Sequence, residues 1–112
     1  MATFLLPAEP VESIEAHLNT STGGSGAEWA YELGPEATID VITRSGLRGR
    51  GGGGFPTGQK WAGIAHQATG RRFLVCNGAE GEPGTFKDRA LIRANPYQLV
   101  EGVAIAAFAI GA

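Results

Sequence analysis

The first 40 residues of this 112-residue chain contain no lysine and no arginine, although they contain seven acidic residues. Residues 41–79 show the opposite bias, with six basic residues and no acidic one, and residues 80–112 contain four acidic and three basic residues. The net charge is −2 and the pI about 5.6, but the middle third of the chain is positively charged. The overall charge argues against a general nucleic-acid binder, whereas the middle third favours a phosphate-bearing ligand.

Cysteine is almost absent, since Cys76 is the only one. A single cysteine cannot form an internal disulfide, so we expect a reducing, cytoplasmic environment. One cysteine and two distant histidines, His17 and His66, cannot build a zinc or iron–sulfur site, and we interpret both histidines as structural or surface residues. The N-terminal apolar run Phe4–Leu6 is too short for a signal peptide or a membrane span. The sequence therefore predicts no direct membrane insertion.

The last ten residues, Val103–Ala112, are almost wholly apolar. A helix that is apolar all round is expected to be buried on every side, and ten residues are too few to span a bilayer. We therefore expect the chain to be the first part of a longer protein, or else to be covered by a partner. A length of 112 residues allows one small domain at most.

Local patterns in the first half predict two helices and a connector. Apolar periodicity predicts a helix over residues 9–18, and the Ser/Gly-rich stretch 21–26 predicts a flexible connector. Pro35 is predicted to open a second helix that ends near Ser45.

The second half predicts helices around one strand. Thr57 can cap a helix, and the short apolar segment Arg72–Asn77 is typical of a buried parallel strand. Thr85 and Asp88 have the spacing of a capping box for a further helix. Asn95, with the proline that follows it, predicts the start of the final helix. This order of elements predicts an α/β layer.

Glycine is concentrated in one place. Six of the ten residues from Gly49 to Gly58 are glycine, and glycine lets a ligand lie directly on the backbone. A row of bare amide N–H groups can hold phosphate oxygens. Arg50 and Lys60 add positive charge, and Phe55 can stack on a ring system, whereas Trp61 is expected in the core. The run therefore predicts a site for an anionic, aromatic ligand such as a nucleotide or a flavin.

Other interpretations of this run have weaker support. Residues 49–54 fit G-x-G-x-x-G formally, but the match is nearly automatic here and no strand is predicted before it. A Walker A loop is excluded because Gly58 is followed by Gln59 rather than by Lys and Ser or Thr. The single triplet Arg50–Gly52 is a poor sign of an Arg-Gly-Gly RNA-binding tract. A disordered linker would leave Phe55 and its neighbours unexplained.

A second loop follows the predicted strand and carries Asn77, Glu80 and Glu82. In an open α/β sheet, ligands lie at the carboxyl ends of strands. An asparagine can both donate to and accept from a flavin ring edge, and the two carboxylates can accept hydrogen bonds from ribose or ribityl hydroxyls. The loop therefore predicts the second part of the same ligand site.

The segments Ser45–Trp61 and Cys76–Arg89 resemble the two signature motifs of the NADH-binding flavoprotein subunit of respiratory complex I. The same family includes diaphorase subunits of NAD-linked hydrogenases and formate dehydrogenases, and the similarity covers roughly residues 36–112. It implies non-covalently bound FMN in a Rossmann-like α/β domain, of which this chain would form the N-terminal, incomplete part. It also implies hydride transfer from NADH to FMN, with electrons leaving through iron–sulfur clusters.

The resemblance implies cofactor-binding roles but no catalytic residue and no metal ligand. FMN would contact the glycine run, Lys60, Asn77 and Glu80, while Phe55 would stack on the adenine of NADH and Glu82 would bind its ribose. The implied binding residues are Gly49, Arg50, Gly51, Gly52, Gly53, Gly54, Phe55, Lys60, Asn77, Glu80 and Glu82. The chain departs from the family at Ala79, where Asp is usual, and at Gly63, where complex I has a second adenine-stacking aromatic residue.

The resemblance implies that the chain is only the first part of such a subunit. The later half of the FMN domain, a ubiquitin-like domain and the four-cysteine motif for a [4Fe–4S] cluster have no counterpart in the sequence, so we expect this part to be inactive alone. An iron–sulfur electron-transfer subunit of a multi-subunit complex is the implied partner, on the cytoplasmic side and without nucleic acid. We assign residues 1–34 to an acidic helix and connector, and residues 35–112 to the FMN- and NADH-binding domain.

Two related functions remain open. The chain could be a non-catalytic module, one half of a split domain that needs a partner chain to complete the sheet and the flavin pocket. The stretch Asn77–Glu80 is also similar to the soluble subunit of the ion-pumping ferredoxin:NAD oxidoreductases.

Overall fold

The computed structural model describes residues 5–68 and 70–112, which form six α-helices. They are α1 Ile14–Leu18, α2 Ser25–Leu33, α3 Pro35–Ser45, α4 Thr57–Ala65, α5 Lys87–Ala94 and α6 Pro96–Ile110. Within the described residues no β-strand is formed, and one isolated antiparallel bridge pairs Arg48 with Pro56. The predicted α/β class is therefore not confirmed, because the described part of the chain is helical.

The C-terminal helix α6 lies at the centre of the packing. It contacts all of the helices α1 to α5, and Ala106, Ala109 and Ile110 in its second half are buried. Its first half is more open, with Val100 65% and Leu99 39% exposed. The expectation that this apolar helix is buried on every side therefore holds only towards its C-terminal end. None of the helices in the described part of the chain is long and apolar enough to cross a membrane.

Two predicted helix starts are confirmed. The Asn95 side chain accepts a hydrogen bond from the Gln98 N–H at 3.1 Å, and Pro96 occupies the first turn of α6. Helix α3 begins at Pro35 as predicted and ends at Gly46, whose φ of 74° favours glycine. Both helices are specified by residues that are neighbours in the sequence.

The predicted caps of α4 and α5 are wrong. Thr57 lies inside the first turn of α4, and its N–H donates to the Leu47 carbonyl at 3.0 Å. The Thr85 side chain does not cap α5. Instead, Glu80 Oε2 accepts a hydrogen bond from the Asp88 N–H at 2.7 Å. The cap is therefore Glu80, which lies outside the four-residue pattern from Thr85 to Asp88 on which the prediction depended.

The N-terminal third departs further from prediction. Helix α1 is shorter than the predicted range 9–18, since it begins after Ser13, whose hydroxyl caps it. The predicted connector 21–26 runs into α2, a helix that the sequence analysis missed. Helix α2 follows Gly24, which has no side chain to cap it and has a φ of 81°. Its cap is Glu101 of α6, which is distant in sequence.

The predicted strand Arg72–Asn77 is not formed, and this segment has no regular secondary structure. Phe73 is 78% and Val75 82% exposed, and Cys76, which we expected to be buried, is exposed as well. A strand is held by hydrogen bonds to a neighbouring strand, and the described residues provide none. Leu74 and Val75 instead line an apolar groove of about 350 Å³ beside α5 and α6.

Candidate functional site

The glycine loop, residues 48–56, is closed at its base by two backbone hydrogen bonds. The Gly49 N–H donates to the Phe55 carbonyl at 2.9 Å, and the Thr57 N–H donates to the Leu47 carbonyl at 3.0 Å. These bonds flank the bridged pair Arg48–Pro56, which is the non-hydrogen-bonded type of antiparallel pair. Proline therefore costs no hydrogen bond at this position, and the loop has a defined neck.

Beyond the neck the backbone is bare. Gly52 and Gly54 have φ values of 96° and 58°, in the region that strongly favours glycine. A Cβ atom added at Gly51, Gly52, Gly53 or Gly54 would meet no atom within 4 Å. Among the described residues, no hydrogen bond of the amides of residues 50–54 is found. The loop therefore offers open donors to a ligand of negative charge.

The two arginines of the loop are placed differently. Arg48 Nη1 donates a hydrogen bond to the Gly54 carbonyl at 3.1 Å, across the loop. Arg50 is exposed and forms no ion pair within the described residues. The charge of Arg50 is therefore available to a ligand, whereas Arg48 is used inside the loop.

Helix α4 leaves the loop with its first turn uncapped by any side chain, because Pro56 occupies the N-cap. Such a terminus attracts negative charge. Lys60, in the first turns of α4, has its Nζ 5.4 Å from the centre of the Phe55 ring. The predicted FMN-contacting lysine and the predicted adenine-stacking ring thus lie against each other, in a cation–π contact of the exposed kind.

The second loop, residues 77–86, is organised on α5. Asn77 Oδ1 accepts a hydrogen bond from the Ala79 N–H at 2.9 Å. The Glu80 side chain is only 6% exposed, and Lys87 Nζ and Arg89 Nε lie 3.8 and 3.7 Å from its oxygens. Glu80 Oε1 is buried and accepts no hydrogen bond from the residues that the structure describes. Glu80 is therefore mainly the residue that anchors the second loop to the start of α5.

Glu82 is exposed at the tip of the second loop, where the Thr85 N–H donates to its carbonyl at 3.2 Å. The pKa of Lys87 is raised by its hydrogen bond to Asp88, and further by the charges of Glu80 and Glu82. The second loop is thus negatively charged and the glycine loop positively charged.

The structure does not join the two loops. In the described ranges, no hydrogen bond, ion pair or aromatic contact connects the glycine loop with the second loop. Gly49 to Gly54, Phe55 and Lys60 form one group around the start of α4, and Asn77 and Glu80 form another at the start of α5. The predicted site residues therefore lie in two separate groups.

Glu101 is a further polar residue at the centre of three hydrogen bonds, and no sequence pattern had pointed to it. Its Oε1 accepts hydrogen bonds from His17 Nε2 at 2.7 Å and from the Gly24 N–H at 2.8 Å, and its Oε2 accepts one from the Ala27 N–H at 3.0 Å. Asn95 Nδ2 lies 3.2 Å from His17 Nδ1. We call Glu101, His17 and Asn95 the Glu101 cluster; it joins α1, α2 and α6. A lone carboxylate in an otherwise uncharged apolar helix was the signal that could have identified it.

The hydrogen bonds of the Glu101 cluster have a definite arrangement. Since Asn95 Oδ1 accepts the Gln98 N–H, its amide nitrogen faces His17 Nδ1, and His17 Nε2 faces Glu101. Burial alone would raise the pKa of Glu101, but the hydrogen bonds from His17, Gly24 and Ala27 outweigh it and hold that pKa below its usual value.

Residues 42–112, more than half of the chain, match the family model described as the Nuo51 FMN-binding domain. The chain is also 49% identical to a subunit of the NADH-quinone oxidoreductase of Aquifex aeolicus over 102 residues, which are 91% of this chain and 24% of that protein. It is 50% identical to the corresponding NADH-quinone oxidoreductase subunit of Rhodobacter capsulatus over 90 residues, 80% of this chain and 19% of that protein.

A further relative is a subunit of the NADP-reducing hydrogenase of Solidesulfovibrio fructosivorans. It is 42% identical over 101 residues, which are 90% of this chain and 20% of that protein. The chain therefore spans a quarter or less of the length of these relatives.

Proposed function

The chain belongs to the Nuo51 FMN-binding domain family, and we propose that it forms the first part of the FMN- and NADH-binding domain of an NADH dehydrogenase flavoprotein subunit. The relatives support an oxidoreductase function, since they are named as subunits of NADH-quinone oxidoreductase and of an NADP-reducing hydrogenase. Because they are about four times longer, we assign the transfer of hydride from NADH to the complete subunit.

The observation that carries the proposal is the geometry of the glycine loop. Its amides are open, Gly52 and Gly54 are left-handed, and α4 begins beside it without a side-chain cap. The terminal phosphate of FMN needs backbone donors and local positive charge. The residues present therefore fit this group, with Arg50 and Lys60 as the available cations.

The isoalloxazine ring of FMN would supply the hydride-accepting chemistry when bound. Asn77 would bind a polar edge of this ring or the ribityl chain through its amide nitrogen, since its Oδ1 is engaged by Ala79. Glu80 Oε1 accepts no hydrogen bond from the described residues, and it would accept one from a ligand hydroxyl once the second loop exposes it. Glu82 is exposed and would accept hydrogen bonds from the ribose of NADH.

Phe55 contacts Lys60 on one face of its ring, so adenine would stack on the opposite face or take the place of Lys60. Phe55 is 47% exposed, and an exposed cation–π contact contributes only about 0.5–1 kcal/mol. Stacking on an adenine can therefore replace this weak contact, and it would free the Lys60 ammonium to bind the phosphate.

We propose that the segment Arg72–Asn77 becomes a strand in a Rossmann-like sheet of the complete domain. Its composition is that of a buried strand, and its exposed Phe73 and Val75 would then be covered. A sheet at this position would bring the second loop to the ligand edge, as expected for α/β sheets. The division of the chain after residue 34 stays a prediction.

The complete subunit would pass electrons to an iron–sulfur subunit of a multi-subunit complex on the cytoplasmic side. The [4Fe–4S] cluster would be bound by cysteines outside this sequence, because Cys76 is the only cysteine here. The Aquifex aeolicus relative is by its name one subunit of an NADH-quinone oxidoreductase.

A second function is favoured by the apolar groove beside α5 and α6. The groove and the exposed Phe73 and Val75 suit one half of a split domain, to which a separate polypeptide adds the missing strands. In this case the chain is a non-catalytic binding module until its partner chain is present.

FMN titration, followed by quenching of flavin fluorescence, tests the proposal. We expect weak or no binding by the 112-residue chain and binding by a protein extended to the length of the relatives. Binding restored by a separately expressed second polypeptide would favour the split-domain function. Failure of the extended protein to bind FMN would sink the flavin proposal, and salt-sensitive RNA binding in its place would favour an RNA-binding function.

A pair of glycine variants makes this test specific. Gly52→Ala introduces a side chain where φ is 96°, whereas Gly63→Ala lies in α4 with nothing within 4 Å of the new Cβ. We expect the first variant to weaken FMN binding at least tenfold and the second to leave it unchanged.

A further inference from the structure

We propose that Arg48 is a positioning residue for the glycine loop: it fixes the peptide that follows Gly54 and thereby turns the Phe55 N–H towards the ligand. This inference rests on the proposed function and adds a residue to which the resemblance assigns no role. Its basis is the 3.1 Å hydrogen bond from Arg48 Nη1 to the Gly54 carbonyl.

The loop needs such a constraint because its own residues provide little. Four successive glycines, from Gly51 to Gly54, give the free backbone a large conformational entropy. Ordering this backbone on binding would weaken the binding of any ligand, and a loop already held in its bound shape avoids that loss. The two backbone bonds at the neck fix residues 49 and 57, but they do not reach the tip.

Arg48 extends the constraint into the loop. A trans peptide holds its C=O and N–H on opposite sides. With the Gly54 carbonyl bound to the guanidinium, the Phe55 N–H has to face away from Arg48. Without this bond, the left-handed Gly54, with a φ of 58°, could turn its carbonyl oxygen towards the anion and repel it. Arg48 would therefore favour phosphate binding indirectly, because it orients the peptide between Gly54 and Phe55.

Substitutions of Arg50 and Arg44 are matched controls for R48A, since each of them also removes one positive charge. Arg50 is exposed in the same loop without an ion pair in the described residues, and Arg44 pairs with Asp40 on α3, at 3.3 Å. A direct phosphate contact by Arg50 should weaken as salt rises. A geometric effect of Arg48 should persist in salt.

The experiment measures FMN binding by the extended protein at low salt and in about 0.5 M KCl. We expect R48A to weaken binding roughly tenfold, with most of this loss remaining in salt and partial rescue by R48K, whose ammonium can reach the same carbonyl. R50A should approach wild-type affinity in salt, and R44Q should bind like wild type throughout. If the loss of FMN affinity in R48A disappears at high salt, as the loss in R50A is expected to do, the positioning role is overturned.

A second measurement does not depend on FMN. Amide hydrogen exchange of Gly49, read by NMR on the 112-residue chain, should accelerate in R48A and not in R50A or R44Q, because the neck opens when the loop loses its cross-link. Unchanged exchange at Gly49 in R48A would overturn the inference. If no form of the protein binds FMN, the proposed function fails, and Gly49 exchange still decides the role of Arg48.

Discussion

The Glu101 cluster and the glycine loop use backbone amides in opposite ways. In the cluster, the Gly24 and Ala27 amides at the start of α2 are satisfied by one half-buried carboxylate, whose side chain is 14% exposed. In the loop, the amides of residues 50–54 have no partner in the described part of the chain, and the residues that carry them are exposed or half-buried. A satisfied buried network stabilises a fold, whereas unsatisfied exposed donors are available for binding. The comparison indicates that stability and ligand binding are assigned to different parts of the molecule.

Removal of the central carboxylate should have the largest effect. Glu101→Ala leaves His17 without an acceptor and the N-terminus of α2 without a cap. We expect a loss of about 3 kcal/mol in the free energy of unfolding, measured by urea denaturation. Glu9→Ala, at an exposed position outside the helices, is the control and should change stability by less than about 0.5 kcal/mol. Equal losses for both variants would contradict the importance of the cluster.

A methyl group at the crossing of α3 and α4 should have the next largest effect. A Cβ on Gly58 would clash with Thr43 Oγ1 and would lie 2.6 Å from Thr43 Cα, so α4 would have to move. We expect Gly58→Ala to cost about 2 kcal/mol in thermal or urea unfolding. Because the clash includes backbone atoms, adding Thr43→Ala should not restore stability. Full rescue by Thr43→Ala would show that only the side-chain hydroxyl is crowded.

Acid should weaken the Glu101 cluster before it affects the loop. The pKa of Glu101 is held below its ordinary value of 4.5 in the folded chain, so the folded state binds this proton less readily than the unfolded state. The resulting stability is complete above the unfolded pKa and is lost as the pH falls through the folded pKa. Unfolding free energies measured from pH 7 down to about pH 3 should fall less steeply in Glu101→Gln than in wild type. Parallel curves would contradict this assignment.

The smallest effect should come from the loop itself. Gly52→Ala introduces a side chain at a φ of 96°, whereas Gly51→Ala does not meet a positive φ, and neither new Cβ would touch a neighbour. We expect a loss of about 1 kcal/mol for Gly52→Ala and almost none for Gly51→Ala, measured by thermal unfolding. Equal stabilities would show that the loop does not hold its left-handed conformation before ligand binds.

Local sequence signals predicted the elements that depend on local chemistry. Pro35 and Gly46 specify α3, and Asn95 specifies the start of α6, because their partners are within four residues. Helix α2 escaped prediction because its cap, Glu101, is distant in sequence. The segment Arg72–Asn77 is apolar, as a buried strand would be, but it does not form a strand. A strand also requires a neighbouring strand to bond with.

The candidate site, like the fold, could be predicted only where local composition determines it. The composition of the glycine run indicated open amides, and the structure places them beyond a closed neck. The contacts that Arg48, Lys60 and Glu80 make within the chain were not predictable, because each depends on how the folded backbone places its partner.

The long reach of Glu101 also determines an order of folding. Its three hydrogen-bond partners lie 84, 77 and 74 residues earlier in the chain, so the acidic N-terminal segment leaves the ribosome long before the carboxylate that stabilises it. Contacts of such large sequence separation form late, whereas α3, with its own proline and glycine signals, can form as soon as it emerges. During synthesis, His17, Gly24 and Ala27 are thus expected to be among the last residues to acquire their native contacts.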